Sequence, residues 1–465
     1  MKKEKVQSSP LKEFVQRAAR VSEAVQLCEA IEGRTVAEIS SLAGSAFALY
    51  ATAVAQRVGG VHLFVEDDRD RAAYLCSDFY ALAGEGVKVL FLPSSYKRSI
   101  RYGAEDRSSE VQRTAALEAI RAHSGKDVLL VCTYPEALAE KVVSQGEVDS
   151  SVLRIAKGDR VAMNDLRDSV EALGFERVDF VHEPGQYSIR GGVFDIFSYS
   201  ENKPFRLDFF GDEVDSVRRF DLSSQLSTER VERVSVVPNL KNFGGEKKES
   251  IAEYVGESAT WWVNDFDHLL NRLDDIRRRL LADSDTPEED AARVTSAKAF
   301  LADTDGVAMV LSKASGKRAA GIQIRFQTAP QAAFNKQYDL LADDIEGRAS
   351  QGYTTYILSE NHAQFERLEN VLAATHRKAR FEPLKATLHE GFTDRKLRVS
   401  LYTDHQIFDR YHRYQLRGGI DNRESLTIAE LNQLQVGDYV VHIDHGVGRF
   451  GGLVHTIRKF KKLLK

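Results

Sequence analysis

The sequence predicts a multidomain α/β protein. Its parts are a mainly parallel sheet domain with an inserted small α+β domain, a further α/β domain and the beginning of a small β-barrel. Its 465 residues are too many for one ordinary hydrophobic core. Residues 12–140 alternate between helical and strand-like apolar spacing, which indicates βαβ units. Residues 187–220 alternate apolar and polar side chains between turn residues, which indicates short antiparallel strands.

The predicted domain boundaries follow these changes of pattern. Residues 1–149 form the first part of the parallel-sheet domain, and residues 150–222 form the inserted domain. Residues 223–329 return to the first domain and complete it. Residues 330–418 form the small α/β domain, and residues 419–465 form a linker followed by a truncated barrel module.

Composition limits the possible partners and compartments. A net charge of -5 and a pI near 6.2 give no overall basic character of the kind that a nucleic-acid-binding domain carries. Cys28, Cys76 and Cys132 lie far apart in apolar segments, so we expect reduced, buried thiols rather than a metal or disulfide framework. The N-terminus lacks a signal-sequence pattern and no apolar run has the length of a membrane span, so we expect a soluble, cytoplasmic protein.

The first domain is predicted to hold three buried strands between helices. The apolar segments 61–64, 87–92 and 128–132 have the length of such strands. Apolar residues at three- and four-residue spacing predict a helix over 14–31. Residues 230–239 are predicted to form a strand that rejoins this sheet after the inserted domain.

The inserted domain contains the most regular alternation in the chain. Residues 205–210 alternate strictly, so the apolar side chains at odd-numbered positions are predicted to face the core. Arg206 and Phe210 then share the opposite face of the sheet. An exposed phenylalanine beside an arginine on a rigid strand is typical of a protein-binding surface, although ordinary packing also produces such pairs.

The same stretch carries a long motif. Residues 185–197 have the pattern GxYxxRGGxxDIF, and residues 204–221 have the pattern PxRxDFFxDExDSxRxFD. This order resembles the module shared by bacterial transcription-repair coupling factors and the excision-repair protein UvrB. The resemblance implies that Arg190, Arg206 and Phe210 bind UvrA. We expect Arg206 to fork onto a carboxylate of the partner and Phe210 to fill a pocket, with little effect of either side chain on folding stability.

The resemblance also identifies the segment that stands in place of a phosphate-binding loop, residues 41–48. Such a loop needs closely spaced glycines, a lysine for the phosphates and a hydroxyl for magnesium. Only Gly44 and Ser45 match, and no lysine lies between Lys12 and Lys88. We therefore expect a degenerate nucleotide-binding-type domain, with no catalytic residues, no ATP or magnesium and no enzymatic activity in this chain.

The third domain shows no catalytic or metal-binding constellation. Its predicted elements are a helix over 337–349, a strand over 354–359, a helix over 361–375, strands near Leu388 and over 397–402, and a basic helix over 404–417. Its histidines never fall at i and i+4 of one helix with a carboxylate companion. Surface or capping histidines are therefore favoured over a metal site.

The end of the chain carries a second resemblance. Residues 434–452 resemble the start of the RNA-polymerase-interacting module of coupling factors, which is related to the CarD family. His442, Asp444 and His445 suggest zinc, but the glycines and alternating valines favour the tight turns of a small barrel, and no fourth ligand follows. Residues 457–465 do not match the next strands of the family, so we expect a truncated N-terminal part without the motor.

The resemblance implies a function. Coupling factors bind the β subunit of RNA polymerase stalled at a lesion and displace the polymerase by ATP-driven translocation on double-stranded DNA. They then recruit UvrA for nucleotide excision repair. With the motor missing, the expected role of this chain is the recruitment of UvrA to stalled RNA polymerase.

Two alternatives remain open at this point. A UvrB-type damage-verifying excinuclease subunit would need a phosphate-loop lysine and a long aromatic hairpin, where this chain has the short connection 93–109. A CarD-like transcription regulator would need a complete terminal barrel.

Overall fold

The computed structural model describes residues 10–95, 107–125, 127–222, 224–240, 248–282, 284, 286–374, 378–412, 414, 437–442 and 446–449. The chain divides into two compact units, Met1–Gly418 and Gly419–Lys465. No helix in the described ranges is both long and apolar enough to cross a membrane.

The elements before residue 152 are α1 (Pro10–Ala18), α2 (Ser22–Glu32), β1 (Ala37–Ser40), α3 (Ala46–Val58), β2 (Gly60–Val65), α4 (Arg69–Leu82), β3 (Val87–Phe91), α5 (Arg107–Arg121), β4 (Val128–Thr133), α6 (Pro135–Ala139), β5 (Val142–Val143) and α7 (Gln145–Ser151). The prediction of one helix over 14–31 is wrong. Val21 has extended backbone angles (φ -67°, ψ 138°) and separates α1 from α2. Both helices pack on α3, so the apolar spacing continues across the break.

The middle of the chain contains β6 (Leu153–Ala156), α8 (Met163–Ala172), β7 (Glu176–Arg177), β8 (Gln186–Arg190), β9 (Val193–Ile196), β10 (Phe205–Phe210), β11 (Glu213–Phe220), β12 (Ser227–Val231), β13 (Arg233–Val236), β14 (Lys248–Glu249), α9 (Ile251–Val255), β15 (Thr260–Asp265), α10 (Phe266–Ala282), α11 (Pro287–Arg293), α12 (Ala297–Asp303), β16 (Ala308–Lys313) and β17 (Ile322–Arg325).

The remaining elements are β18 (Thr328–Pro330), α13 (Tyr338–Ser350), β19 (Thr354–Leu358), α14 (His362–Ala374), β20 (Glu382–Leu384), β21 (Phe392–Asp394), β22 (Val399–Thr403) and α15 (Asp404–Ile407), followed in the second unit by β23 (Tyr439–His442) and β24 (Gly446–Arg449).

A seven-stranded parallel sheet forms the centre of the first unit. Its strand order is β17-β1-β16-β15-β2-β4-β3, so the sheet contains strands from both before and after the inserted domain. The two neighbouring tryptophans of β15 face opposite sides, because Trp261 packs in one apolar core and Trp262 in the other. Strands β15 and β16, which follow the inserted segment, thus lie in the same sheet as β1 and β2, which precede it.

The predicted return of residues 230–239 to this sheet is wrong. Strand β13 instead pairs antiparallel with β6, with Arg233 opposite Ala156 and Val236 opposite Leu153. Val234 and Val236 are buried in the core of the inserted domain. The apolar pattern therefore predicted a strand correctly, but it did not identify the strand with which this one pairs.

The inserted domain is built on a sheet of strand order β12-β11-β10-β9-β8-β7. Neighbouring strands from β8 to β12 are antiparallel, and β7 pairs parallel with β8. Phe205 and Leu207 are buried against α8, and Phe209 is half-buried beside them. Phe210 is exposed to solvent, and Arg206 is half-buried. The predicted alternation of faces in β10 is confirmed.

The third domain has a five-stranded sheet of order β18-β21-β22-β19-β20. Helices α13 and α14 match their predictions closely, and Leu388 lies outside the strands in the core shared with the first domain. The basic helix predicted over 404–417 is wrong. Helix α15 ends at Ile407, and Asp409 adopts a left-handed conformation (φ 51°) that cannot continue a helix.

In the second unit, β23 and β24 form an antiparallel hairpin in which Tyr439 lies opposite Arg449 and Val441 opposite Val447. Asp444 and His445 lie outside the described residues. Throughout the part of the chain that the structure describes, no group of three or more histidine, cysteine or acidic side chains is arranged to hold a metal ion.

Candidate partner-binding surface and the remnant phosphate loop

Arg206 is fixed by a buried carboxylate on the neighbouring strand. Its Nε donates to Oδ1 of Asp195 at 2.7 Å, and its Nη2 donates to Oδ2 of the same residue at 2.8 Å. Asp195 stands directly opposite Arg206 in the β9–β10 ladder, and its side chain is 1% exposed. These hydrogen bonds raise the pKa of the Arg206 guanidinium above its usual value. The pair is therefore a bidentate ion pair on the outer face of the sheet.

Two further contacts immobilise Arg206. Its Nη1 donates to the carbonyl of Gln225 at 3.1 Å, and its guanidinium lies 4.5 Å from the centre of the Phe220 ring. Phe220 belongs to a small apolar cluster with Val181 and Phe197 that covers one end of this face. With 16% of its side chain exposed, Arg206 presents only its edge to a partner.

Arg190 reaches the same carboxylate from the other side. Its Nη2 donates to Oδ2 of Asp195 at 2.5 Å, and its Nη1 donates to the carbonyl of Asp179 at 3.3 Å. The guanidinium also lies 4.5 Å from the centre of the Phe180 ring, which is 51% exposed. Asp195 on β9 thus holds two arginines, one on each of the flanking strands β8 and β10.

Phe210 ends β10 on the same face as Arg206. It lies opposite Glu213, immediately before a turn in which Gly211 adopts a positive φ of 63°. Its side chain is 84% exposed, and no aromatic or cation–π contact to it is seen among the described residues. Four residues along a strand span roughly 13 Å, so a single partner surface can cover Arg206 and Phe210 together.

The structure brings Arg190 and Arg206 together through Asp195 and sets Phe210 at the rim of the same face. Sequence reasoning missed Asp195, although the residue stands in the DIF part of the motif. It also treated Arg206 as free to fork onto a partner carboxylate. That expectation is corrected, because the fork of Arg206 is already engaged within the domain.

The remnant phosphate loop precedes α3. Ser45 donates from Oγ to Oδ2 of Asp78 at 2.5 Å, and its Oγ accepts from the backbone N–H of Glu390 at 3.0 Å. Burial raises the pKa of Asp78 to about 7. Gly44 has a positive φ of 53°, and a Cβ there would lie 2.9 Å from the carbonyl oxygen of Gly391. A segment of the third domain therefore fills the place next to the loop.

The backbone donors of the loop are engaged as well. Ser45 N–H donates to the Glu390 carbonyl at 3.2 Å, and Ala43 N–H donates to Oγ1 of Thr328 at 2.8 Å. The N–H groups of Ala46 and Phe47 donate to carbonyls within the turn. A phosphate loop works through amides that point freely at an anion, and these amides have other acceptors.

Comparison with known families divides the chain in the same way. Residues 153–241 match the family model described as the UvrB interaction domain, and they contain all three candidate residues. Residues 434–463 match the model described as the CarD-like/TRCF RID domain, which includes the β23–β24 hairpin, so the expectation that the family match ends before residue 457 is wrong. The fold and these matches define a protein that carries a UvrB-type interaction domain and a CarD-like module.

The chain is also similar to curated proteins. The chain is 23% identical over 507 residues to the transcription-repair-coupling factor of Bacillus subtilis (strain 168), covering 91% of this chain and 42% of the relative. It is 24% identical over 394 residues to that of Haemophilus influenzae, covering 68% and 34%. It is 38% identical over 101 residues to that of Escherichia coli (strain K12), covering 22% and 9%. The chain is thus similar to transcription-repair coupling factors over most of its length, and it spans less than half the length of these relatives.

Proposed function

We propose that this chain recruits UvrA to RNA polymerase stalled at a lesion and so couples transcription to nucleotide excision repair. The observation that carries the proposal is the outer face of the inserted domain, where Phe210 is 84% exposed beside two arginines held by Asp195. Side chains that are fixed before binding lose little conformational freedom on association, and exposed aromatics beside arginine are typical anchors of protein interfaces.

The chemistry of this face favours an acidic, pocketed partner. Arg190 is 35% exposed and its Nε–H has no acceptor among the described residues, so the guanidinium can still donate to a carboxylate. Phe180 and Phe210 offer apolar surface on the same side. UvrA is the partner that the resemblance implies for these positions, and the match to the UvrB interaction domain supports the assignment.

The proposal is tested by titrating UvrA into the full chain in a calorimeter. We expect a saturable complex from which UvrB displaces this chain. The reason is that UvrB and this chain would bind the same site on UvrA through the same type of domain. Competition by UvrB distinguishes a specific UvrA-binding site from a surface that binds proteins nonspecifically. The absence of a complex, or simultaneous binding of UvrB and this chain to one UvrA site, would contradict the proposal.

We propose that the second unit binds the β subunit of RNA polymerase. The match to the CarD-like/TRCF RID domain supports this, together with the hairpin whose side chains Tyr439 and Val447 are exposed. ATP-driven movement on double-stranded DNA is proposed for complete members of the family rather than for this chain, in which we propose neither a bound cofactor nor an enzymatic activity.

We predict that this chain neither binds nor hydrolyses ATP with magnesium. The amides of residues 43, 45, 46 and 47 are engaged, Ser45 is bonded to Asp78, and no lysine lies between Lys12 and Lys88. Calorimetry and a phosphate-release assay, with UvrB as the positive control, should both give blank signals. Saturable micromolar binding would refute the prediction and would favour a UvrB-type subunit.

A further inference from the structure

A cavity of about 560 Å³ lies beyond the carboxyl ends of β1, β2, β15 and β16. The carboxyl ends of parallel strands form the usual ligand crevice of open α/β sheets, and this volume falls within the range of small-molecule sites. Phosphate recognition is blocked on its loop side, because the backbone of Glu390 is bonded to Ser45 there. The cavity therefore suits a ligand of different chemistry.

The floor of the cavity is aromatic. The rings of Phe64 and Trp262 are stacked with their centres 5.2 Å apart, and Phe47 meets Trp262 edge-on at 6.0 Å. The indole N–H of Trp262 already donates to Nδ1 of His62 at 3.1 Å. Phe64 and Trp262 are only 1% and 2% exposed, so their stacked rings form a rigid base, and the half-buried Leu42 and Phe47 offer apolar surface to a ligand.

The polar groups around the floor are mainly acceptors. The carboxylate of Glu66, directly after β2, has no hydrogen-bond partner anywhere in the described residues, and burial together with the neighbouring Asp67 raises its pKa to about 7. Asn264 donates its amide to Oδ2 of Asp67 at 3.0 Å, which leaves its carbonyl oxygen as an acceptor. These groups require a ligand that donates hydrogen bonds.

Charge and protonation favour a cation over an anion in this cavity. Arg71 lines the cavity, but its Nη1 is 2.8 Å from Oδ2 of Asp67, so its charge is already paired. His389 also lines the cavity. Burial lowers its pKa to about 4, so the ring is neutral at physiological pH, and its buried Nδ1 has no partner in the described part of the chain. Glu66 and Glu390 then give the cavity an acidic surplus.

We propose that this cavity binds a small organic cation, a primary amine carried on an aromatic or alkyl group. The ammonium donates to Glu66 and to the carbonyl of Asn264, and the apolar part lies against the half-buried side chains of Leu42 and Phe47. A carboxylate without a partner in a partly desolvated site attracts such a cation strongly. This site lies at the edge of the parallel sheet, next to residues 389 and 390 of the third domain, and it is separate from the surface assigned to UvrA.

Phenethylamine is the probe, and the full chain is titrated at pH 8 so that Glu66 is ionised. Ethylbenzene and 3-phenylpropionate serve as neutral and anionic probes of similar size. Binding is measured by calorimetry and by tryptophan fluorescence, since the sequence contains only Trp261 and Trp262. We expect phenethylamine to bind at least about tenfold more tightly than either control.

The Glu66→Gln variant should bind phenethylamine at least about tenfold more weakly, while Glu360→Gln, which removes an exposed carboxylate elsewhere, should bind it normally. Circular dichroism verifies that both variants are folded. Equal affinity for the amine and the acid, an unchanged affinity in Glu66→Gln, or no binding of phenethylamine up to about 10 mM would each overturn the proposal.

Discussion

Replacing Phe210 with alanine is expected to weaken the binding of UvrA at least about tenfold, which corresponds to about 1.4 kcal/mol. The same change should leave the free energy of unfolding within roughly 0.5 kcal/mol of the wild type, because the side chain is 84% exposed and supports no core. Titration calorimetry measures the affinity for UvrA, and hydrogen exchange of the inserted domain measures the free energy of unfolding of the same protein.

The neighbouring Phe209 provides a matched control. It is half-buried against the core of the inserted domain. Phe209→Ala should therefore cost about 2 to 4 kcal/mol of stability, which is no more than the truncation of a fully buried phenylalanine costs. Leu340, an exposed apolar residue of the third domain, provides a surface control that should not affect UvrA binding. Unchanged affinity in Phe210→Ala, or a loss that follows unfolding of the domain, would show that this face is not the interface.

Local patterns in the sequence predicted much of the candidate surface. The two-residue period of β10 was enough to separate the faces of Phe205 and Phe210, because side chains alternate in any regular strand. The resemblance located the remnant loop, and the missing lysine predicted that it does not bind phosphate, because phosphate chemistry depends on a specific residue type. Both inferences require only short stretches of sequence.

Non-local pairing was not predictable in this way. The apolar residues of β13 indicated a strand, but nothing in them distinguishes β6 from the parallel sheet as its partner. Likewise, the contact of Glu390 with Ser45 joins residues that are 345 positions apart. The sequence pattern did not reveal the break at Val21. Because α1 and α2 bury the same face, the helical spacing of apolar residues continues across the break.

Asp195 illustrates the same limit and has the strongest functional consequence. The motif indicated the two arginines but not the carboxylate between them, since the pairing depends on the register that sets Asp195 opposite Arg206. We therefore expect partner recognition by this face to depend on a residue that is itself buried and cannot be an anchor. Asp195 positions the arginines, whereas Arg190 and Phe210 remain accessible to a partner.

Replacing Asp195 with alanine is expected to destabilise the inserted domain by about 3 kcal/mol, because two partly buried guanidinium groups lose their shared counter-ion. Arg206→Ala should also cost stability, about 1 to 2 kcal/mol, since it removes the bidentate partner of a buried carboxylate. Hydrogen exchange at the amides of β9 and β10 in the full chain reports the free energy of local opening.

Asp208→Ala is the matched control for the Asp195 prediction. Asp208 also accepts from an arginine and a serine on the outer face of the sheet, Arg218 and Ser216, but its side chain is 25% exposed against 1% for Asp195. Water can replace its partners, so the change should cost only about 1 kcal/mol or less. Asp195→Ala should also weaken UvrA binding well beyond Asp208→Ala when both are compared under conditions where the domain is folded. Equal effects of the two changes on stability and on binding would mean that Asp195 does not organise the surface, and that the arginines are positioned by Phe180, Phe220 and the backbone carbonyls alone.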